Sequence, residues 1–197
     1  MKLEPTVMEN RFVRLEPMAE QHREGLRAAC NADQEIWAKL YPYSWANEHF
    51  EPTWAKLMND LAQGGTQAYA VLAHGEVVGL TTFYAIDRAN DVLEVGGTYY
   101  RPDVRGGAVN PAAKRLMMGH AFDSGARRVA YRVDAANARS RAAVIKLGAV
   151  QEGVLRQDRV TWTGRLRDTV IFSILAEEWP AVRQRLDERL AGLAVGA

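Results

Sequence analysis

With 197 residues, 48% of them hydrophobic and 25% charged, the chain is long enough for one sizeable core and has an ordinary globular composition. Twenty-five Lys and Arg against 24 Asp and Glu leave no overall basic field, which excludes a broad nucleic-acid surface and leaves any acidic partner to a local patch. A single cysteine, Cys30, excludes an intrachain disulfide framework and a cysteine-based zinc site.

In chain order, Arg11–Leu15 reads as a strand and Ala19–Ala29 as a helix. The stretch from Trp37 to Phe50, with Tyr41, Pro42, Tyr43 and Trp45, is too aromatic for an idle loop, and Pro52–Ala62 follows as a helix. Tyr69–Ala73, His74-Gly75 and Val77–Tyr84 predict a hairpin, and Asn90-Asp91 turns the chain into a strand over Val92–Tyr100. That strand carries Glu94 and the pair Gly96-Gly97, the natural place for a bulge.

Next comes the most informative segment, Arg101-Pro-Asp-Val-Arg105-Gly106-Gly107-Ala108-Val109-Asn110-Pro111, a glycine turn opening into a helix. Asn110 is the expected N-cap, Pro111 suits the first helical position, and Val109, Ala113, Leu116, Met117 and Ala121 recur at helical spacing. Free N–H groups at such a helix start bind phosphate, and Arg101 and Arg105 would add charge-assisted bonds.

Arg128–Asp134 then reads as a strand, and a helix follows in which Asn137 sits where an N-cap would and Gly148 ends the run. Ser140, Ala143, Val144 and Leu147 share one face, so Ser140 is aimed inward; capping by Asn137 and back-bonding by Ser140 are the structural alternatives to functional roles. Two strands, Val154–Val160 and Leu166–Leu175, are joined across Trp162–Arg165. A helix over Glu177–Leu190 and a frayed tail at residues 191–197 close the chain. The expected class is α/β, one domain over 1–197 with a mixed central sheet and helices on both faces.

The order strand, Arg105-Gly-Gly-Ala-Val-Asn110 turn, helix, strand, Asn137-x-x-Ser140 helix, Leu147-Gly148-Ala-Val-Gln-Glu-Gly153 resembles the GNAT superfamily of acyl-CoA-dependent N-acetyltransferases. With Arg167-Asp168-Thr-Val-Ile-Phe-Ser-Ile-Leu175 and Glu178-Trp179, it is most similar to the RimJ/RimL-like branch, over nearly the whole chain from Arg14 to Trp179. The resemblance implies the GNAT fold and acetyl-CoA as cosubstrate. It implies that Arg101, Arg105, Gly106, Gly107, Ala108, Val109 and Asn110 hold the pyrophosphate and that Asn137 bonds the pantetheine amides. By the same resemblance Ser140 approaches the sulfur and a strand bulge offers an N–H to the thioester carbonyl; Glu94, close to the expected bulge, is the best carboxylate for deprotonating the amine, with a solvent-facing strand residue as the structural alternative. Trp37, Tyr41 and Tyr43 would form one wall of an acceptor pocket admitting a protein N-terminus or a small amine.

Two positions depart from the family pattern. Ala108 stands where the pyrophosphate loop usually has glycine, which is compatible with phosphate if its φ is negative. Val144 stands where the superfamily often has an acid tyrosine, and in this branch a serine one turn earlier is the usual substitute. These departures keep a second reading open, an acyl-CoA-binding sensor without turnover. A nucleotide-phosphate enzyme is disfavoured, because no Gly-Lys-Ser/Thr loop exists in the chain. The four histidines lack ligand spacing and no apolar run spans a bilayer, so no metal, no membrane partner and cytoplasmic residence are expected; a homodimer stays open.

Overall fold

The structure, a computed structural model, describes residues 1–193. Its frame is one eight-stranded sheet in the order β1-β2-β3-β4-β5-β6-β8-β7. The N-terminal part is an antiparallel meander of β1 (Met8–Glu9), β2 (Arg14–Pro17), β3 (Gln67–Ala73), β4 (Glu76–Asp87) and β5 (Val92–Tyr100). β5 then pairs in parallel with β6 (Arg128–Asp134), and the antiparallel pair β8 (Leu166–Leu175) and β7 (Val150–Val160) completes the sheet.

Helices cover both faces, which is why β3 is buried along nearly its whole length instead of alternating. On one face α4 (Val109–Asp123), α5 (Ala138–Leu147) and α6 (Trp179–Leu193) pack Met117, Met118, Leu147, Trp179 and Leu186 against Tyr69, Phe83 and Phe172. On the other, α1 (Arg23–Asn31), α2 (Glu35–Leu40) and α3 (Phe50–Ala62) bury Leu26, Trp37, Phe50 and Trp54 over Leu80 and Tyr99. Cys30 is fully buried there, as an apolar thiol should be, and burial pushes its pKa up.

The hairpin turn has φ +52 at His74 and +81 at Gly75, the backbone sign that a two-residue type I′ connection requires. Several sequence boundaries move. The Asn10 side chain accepts the N–H groups of Phe12 and Val13, so a turn occupies part of the segment read as strand 11–15 and β2 begins at Arg14. The helix read from Ala19 opens instead as a 3-10 turn, Glu20–His22, where His22 Nδ1 accepts the N–H of Ala19. The short helix α2 was not anticipated, and β7 starts at Val150, four residues before the expected Val154. Of the expected tail, residues 191–193 belong to α6, and 194–197 lie outside the described residues. No helix among the described residues is long and apolar enough to cross a membrane.

Candidate active site

The sheet opens where its one parallel pair ends. β5 and β6 are in register only at Val92 with Arg128, Leu93 with Val129 and Glu94 with Ala130. Beyond these, β5 stays on β4 through Leu80–Tyr99 and Gly79–Tyr100, while β6 stays on β8 as far as Asp134–Thr169. The two inner edges diverge and bound a cleft of about 860 Å³. A bulge helps turn β5 away: Thr82 faces Gly96 and Leu80 faces Tyr99, so Gly97 and Thr98 together oppose Thr81 alone. Gly97 has φ +55, and a Cβ there would collide with the Tyr84 hydroxyl and stand 3.0 Å from that of Tyr43. The expected bulge is therefore present, at a position that only glycine fits.

At one end of the cleft lies the glycine turn. Arg105 donates from Nε to the Tyr100 carbonyl (2.7 Å) and from Nη1 to Asp33 (2.5 Å), and its guanidinium lies over the Tyr99 ring. Its Nη2 is buried without a partner. Gly106 has φ +82, and a Cβ on Gly107 would meet nothing nearer than the Val104 carbonyl at 3.9 Å. Helix α4 begins at Val109 with Ala108 as an N-cap that makes no side-chain bond, so Asn110 is not the cap and Pro111 falls within the first turn. Ala108 has φ −75, the negative value that makes alanine tolerable here.

Arg105, Gly106, Gly107, Asn110 and Pro111 line the cleft. Arg101 does not: its guanidinium is held by Asp103 and Glu76 on the outside, which corrects its expected place in the anion site. The Val109 side chain sinks into the core, so Val109 and Ala108 could contribute only backbone groups.

Along the middle, α5 presents Ser140, Ala143, Val144 and Leu147 to the cleft, the stripe read from spacing. Asn137 is the N-cap, its Oδ1 accepting the Ser140 N–H at 3.0 Å, and it too lines the opening. Facing them is a residue that the sequence reading passed over. Lys114, on the second turn of α4, is 8% exposed and donates from Nζ to Thr98 (2.8 Å) and Thr81 (3.3 Å), the hydroxyls beside the bulge. Burial pushes its pKa down to about 7. The available signal was its spacing, four residues after Asn110 and hence on the same helical side.

At the other end Glu94 lines the cleft, and no cation among the described residues pairs with it. Burial raises its pKa to about 7, although Arg132, Arg159 and Arg167 draw it back. Tyr41 and Tyr43 form part of the wall: the Tyr41 hydroxyl donates to the Thr98 carbonyl at 2.7 Å, and the Tyr43 and Tyr84 hydroxyls are 3.2 Å apart. Trp37 is corrected to a core residue, 1% exposed, stacked on Tyr99 and donating from Nε1 to the Cys30 carbonyl. The wall is tied to the β7–β8 hairpin, whose Trp162 donates from Nε1 to the Trp37 carbonyl and from its backbone to that of Pro42.

Residues 13–150 match the model of a family described as an acetyltransferase (GNAT) domain. A Bacillus subtilis (strain 168) protein with the name "Putative ribosomal N-acetyltransferase YdaF" is 30% identical over 129 residues, 65% of this chain and 68% of that one. A crystal structure of a GCN5-related N-acetyltransferase from Brucella melitensis superposes with a TM-score of 0.87 at 33% identity, covering 96% of this chain and 87% of that one. Mycobacterium smegmatis RimJ, solved in complex with CoA-disulfide, has the same fold, with a TM-score of 0.82 at 24% identity and 96% of each chain covered. The sheet that splits after one short parallel pair and the family match over most of its length agree, and the chain belongs to the GNAT acetyltransferase family.

Proposed function

We propose that the protein transfers the acetyl group of acetyl-CoA directly to a primary amine, on a protein N-terminus or a small molecule, with both substrates bound in the cleft. The observation that carries this reading is the continuity of the cleft, from the Arg105-Gly106-Gly107 turn, past the open edges of β5 and β6, to the unpaired carboxylate of Glu94. The residues present suit an acyl-CoA. The unpartnered Nη2 of Arg105 and the open space at Gly107 fit a pyrophosphate, and two strand edges that stop pairing with each other after Glu94–Ala130 fit an extended amide-bearing arm between them. Arg105, Gly106, Gly107 and Asn110 would hold the phosphates, with backbone N–H groups of Ala108 and Val109. Asn137 would donate from its side-chain NH2, its Oδ1 being taken by the cap.

Acetyl-CoA supplies an acetyl group activated as a thioester. Glu94, with a pKa near 7, takes one proton from the acceptor's ammonium, so that a neutral nitrogen attacks the carbonyl carbon. A backbone N–H of the β5 bulge stabilises the carbonyl oxygen. As the C–N bond forms and the C–S bond breaks, Ser140 donates its hydroxyl proton toward the departing sulfur and regains one from the nitrogen. The test is release of free thiol from acetyl-CoA against a panel of peptides, polyamines and aminoglycosides. Steady amine-dependent release supports acetyl transfer. Binding of acetyl-CoA with no amine-dependent release by any acceptor would leave the sensor reading in its place.

A further inference from the structure

The Glu94 end of the cleft holds more positive charge than the fold neutralises. Arg132 on β6, Arg159 on β7 and Arg167 on β8 all line it. Arg159 and Arg167 are directly opposed register partners, an arrangement of like charges that destabilises a strand pair. Among the described residues two carboxylates form ion pairs with the guanidinium groups gathered here: Asp158 meets Arg132 and Arg159, and Asp134 meets Arg165 and lies 4.0 Å from Arg167. Arg167 is 5% exposed, yet its Nε is buried without a hydrogen-bond partner, as is that of Arg132. Their Nη2 atoms are bonded, Arg167 to the Arg132 carbonyl (3.1 Å) and Arg132 to Asp158 (2.9 Å), but a buried Nε–H without a partner is costly.

The strand carrying Arg159 is also distorted locally. Between Leu155 and Arg159 β7 bulges, with Gln157 at φ +50 and its N–H held by Asp168 at 2.7 Å. Strain maintained beside a cleft marks a place where a side chain has been aimed.

At the same end of the cleft stands Glu94, which none of these arginines pairs directly. We propose that Arg159 and Arg167, backed by Arg132, bind a carboxylate carried by the acceptor close to its amine, so that the preferred acceptor is a zwitterion with its ammonium at Glu94 and its carboxylate at the arginines. This rests on the reading of the cleft as an acetyl-transfer site and names the acceptor class. The carboxylate has two sources, the α-carboxylate of a free amino acid or the side chain of an N-terminal Asp or Glu.

The experiment compares kcat/KM for four acceptors: alanine, alaninamide, and two peptide amides identical except for Asp or Asn at the N-terminus. Tenfold or greater preference for alanine over alaninamide, or for the Asp over the Asn peptide, is expected, and whichever pair shows it identifies the source. In Arg159→Gln, chosen because Arg159 is 44% exposed on its side chain and its loss should spare the fold, that preference ratio should collapse toward one. Equal use of charged and neutral partners by the parent, or a ratio unmoved in Arg159→Gln, overturns the proposal. Because turnover could fail for other reasons, binding to the CoA-loaded protein is measured by calorimetry for both product pairs, N-acetylalanine against N-acetylalaninamide and the N-acetyl-Asp against the N-acetyl-Asn peptide amide. Preferential binding of the carboxylate form in either pair, lost in Arg159→Gln, upholds the anion site even if acetyl transfer fails. No preference in either pair refutes it.

Discussion

Glu94 is a carboxylate that the fold holds partly out of water with no cation paired to it, and its pKa near 7 follows from that burial. Because the folded value lies above the unfolded one of 4.5, the fold favours the protonated form. Stability from this group is full below pH 4.5 and is lost as pH rises to about 7. Glu94→Gln should therefore be more stable than the parent above pH 7, by on the order of 2 kcal/mol, and no more stable at pH 4. Thermal unfolding at the two pH values checks this. In kinetics, the parent's kcat/KM should rise through a limb near pH 7 that Glu94→Gln lacks; profiles of the same shape would remove Glu94 as the base. Ser140 offers a cleaner separation, since α5 uses its backbone N–H at the Asn137 cap and not its hydroxyl. Ser140→Ala should lower kcat about tenfold or more with the melting temperature nearly unchanged. Normal turnover would leave it a helix-face residue only.

At the scale of elements, the turn before α4 separates space from conformation. Gly106 has a positive φ, whereas a Cβ on Gly107 would meet only the Val104 carbonyl, at an ordinary 3.9 Å. Gly107→Val should fold as the parent does and raise the acetyl-CoA dissociation constant on the order of tenfold or more, because it fills the place of an anion at the helix N-terminus. Calorimetry beside a melting curve decides it, and unchanged binding in a folded variant removes the turn from the site. Much of this geometry was legible in the sequence, because a Gly-Gly pair in a strand, a glycine turn before a helix and a serine heading an apolar stripe have local physical causes. Other features had no local cause. Arg101 and Arg105 look alike in sequence, and what distinguishes them is Asp33 and Glu76, brought up from distant segments. Helix α2 has six residues and no side-chain cap, and Trp37 within it is fixed by stacking on Tyr99. Lys114 reads as a solvated charge until two threonine hydroxyls from β4 and β5 meet it.

Across the whole molecule, the cleft exists because one sheet is asked to do two things. Its β1–β5 meander and its β6–β8 part share only one short parallel pair, and the rest of that seam opens as the cleft. Helices close the two faces, but the proposed acceptor wall from Tyr41 to Trp45 belongs to the first half of the chain while the arginines that line the cleft with Glu94 lie on β6, β7 and β8 in the second. The link between them is the β7–β8 hairpin: Trp162 reaches the Trp37 and Pro42 carbonyls, and its ring meets His49 edge-on at 4.7 Å. Trp162 is 42% exposed, so it contributes little to either core and its main effect should be to hold that wall in place. Trp162→Ala removes the indole bond and the ring contact but keeps the backbone bond to Pro42. It should raise the acceptor KM several-fold, with a smaller change in kcat and none in the acetyl-CoA dissociation constant, and cost about 1 kcal/mol of stability. Initial rates over a range of acceptor concentrations, with acetyl-CoA binding measured separately, check the split. If the melting temperature falls while the acceptor KM stays put, the hairpin holds the fold together and plays no part in shaping the acceptor wall.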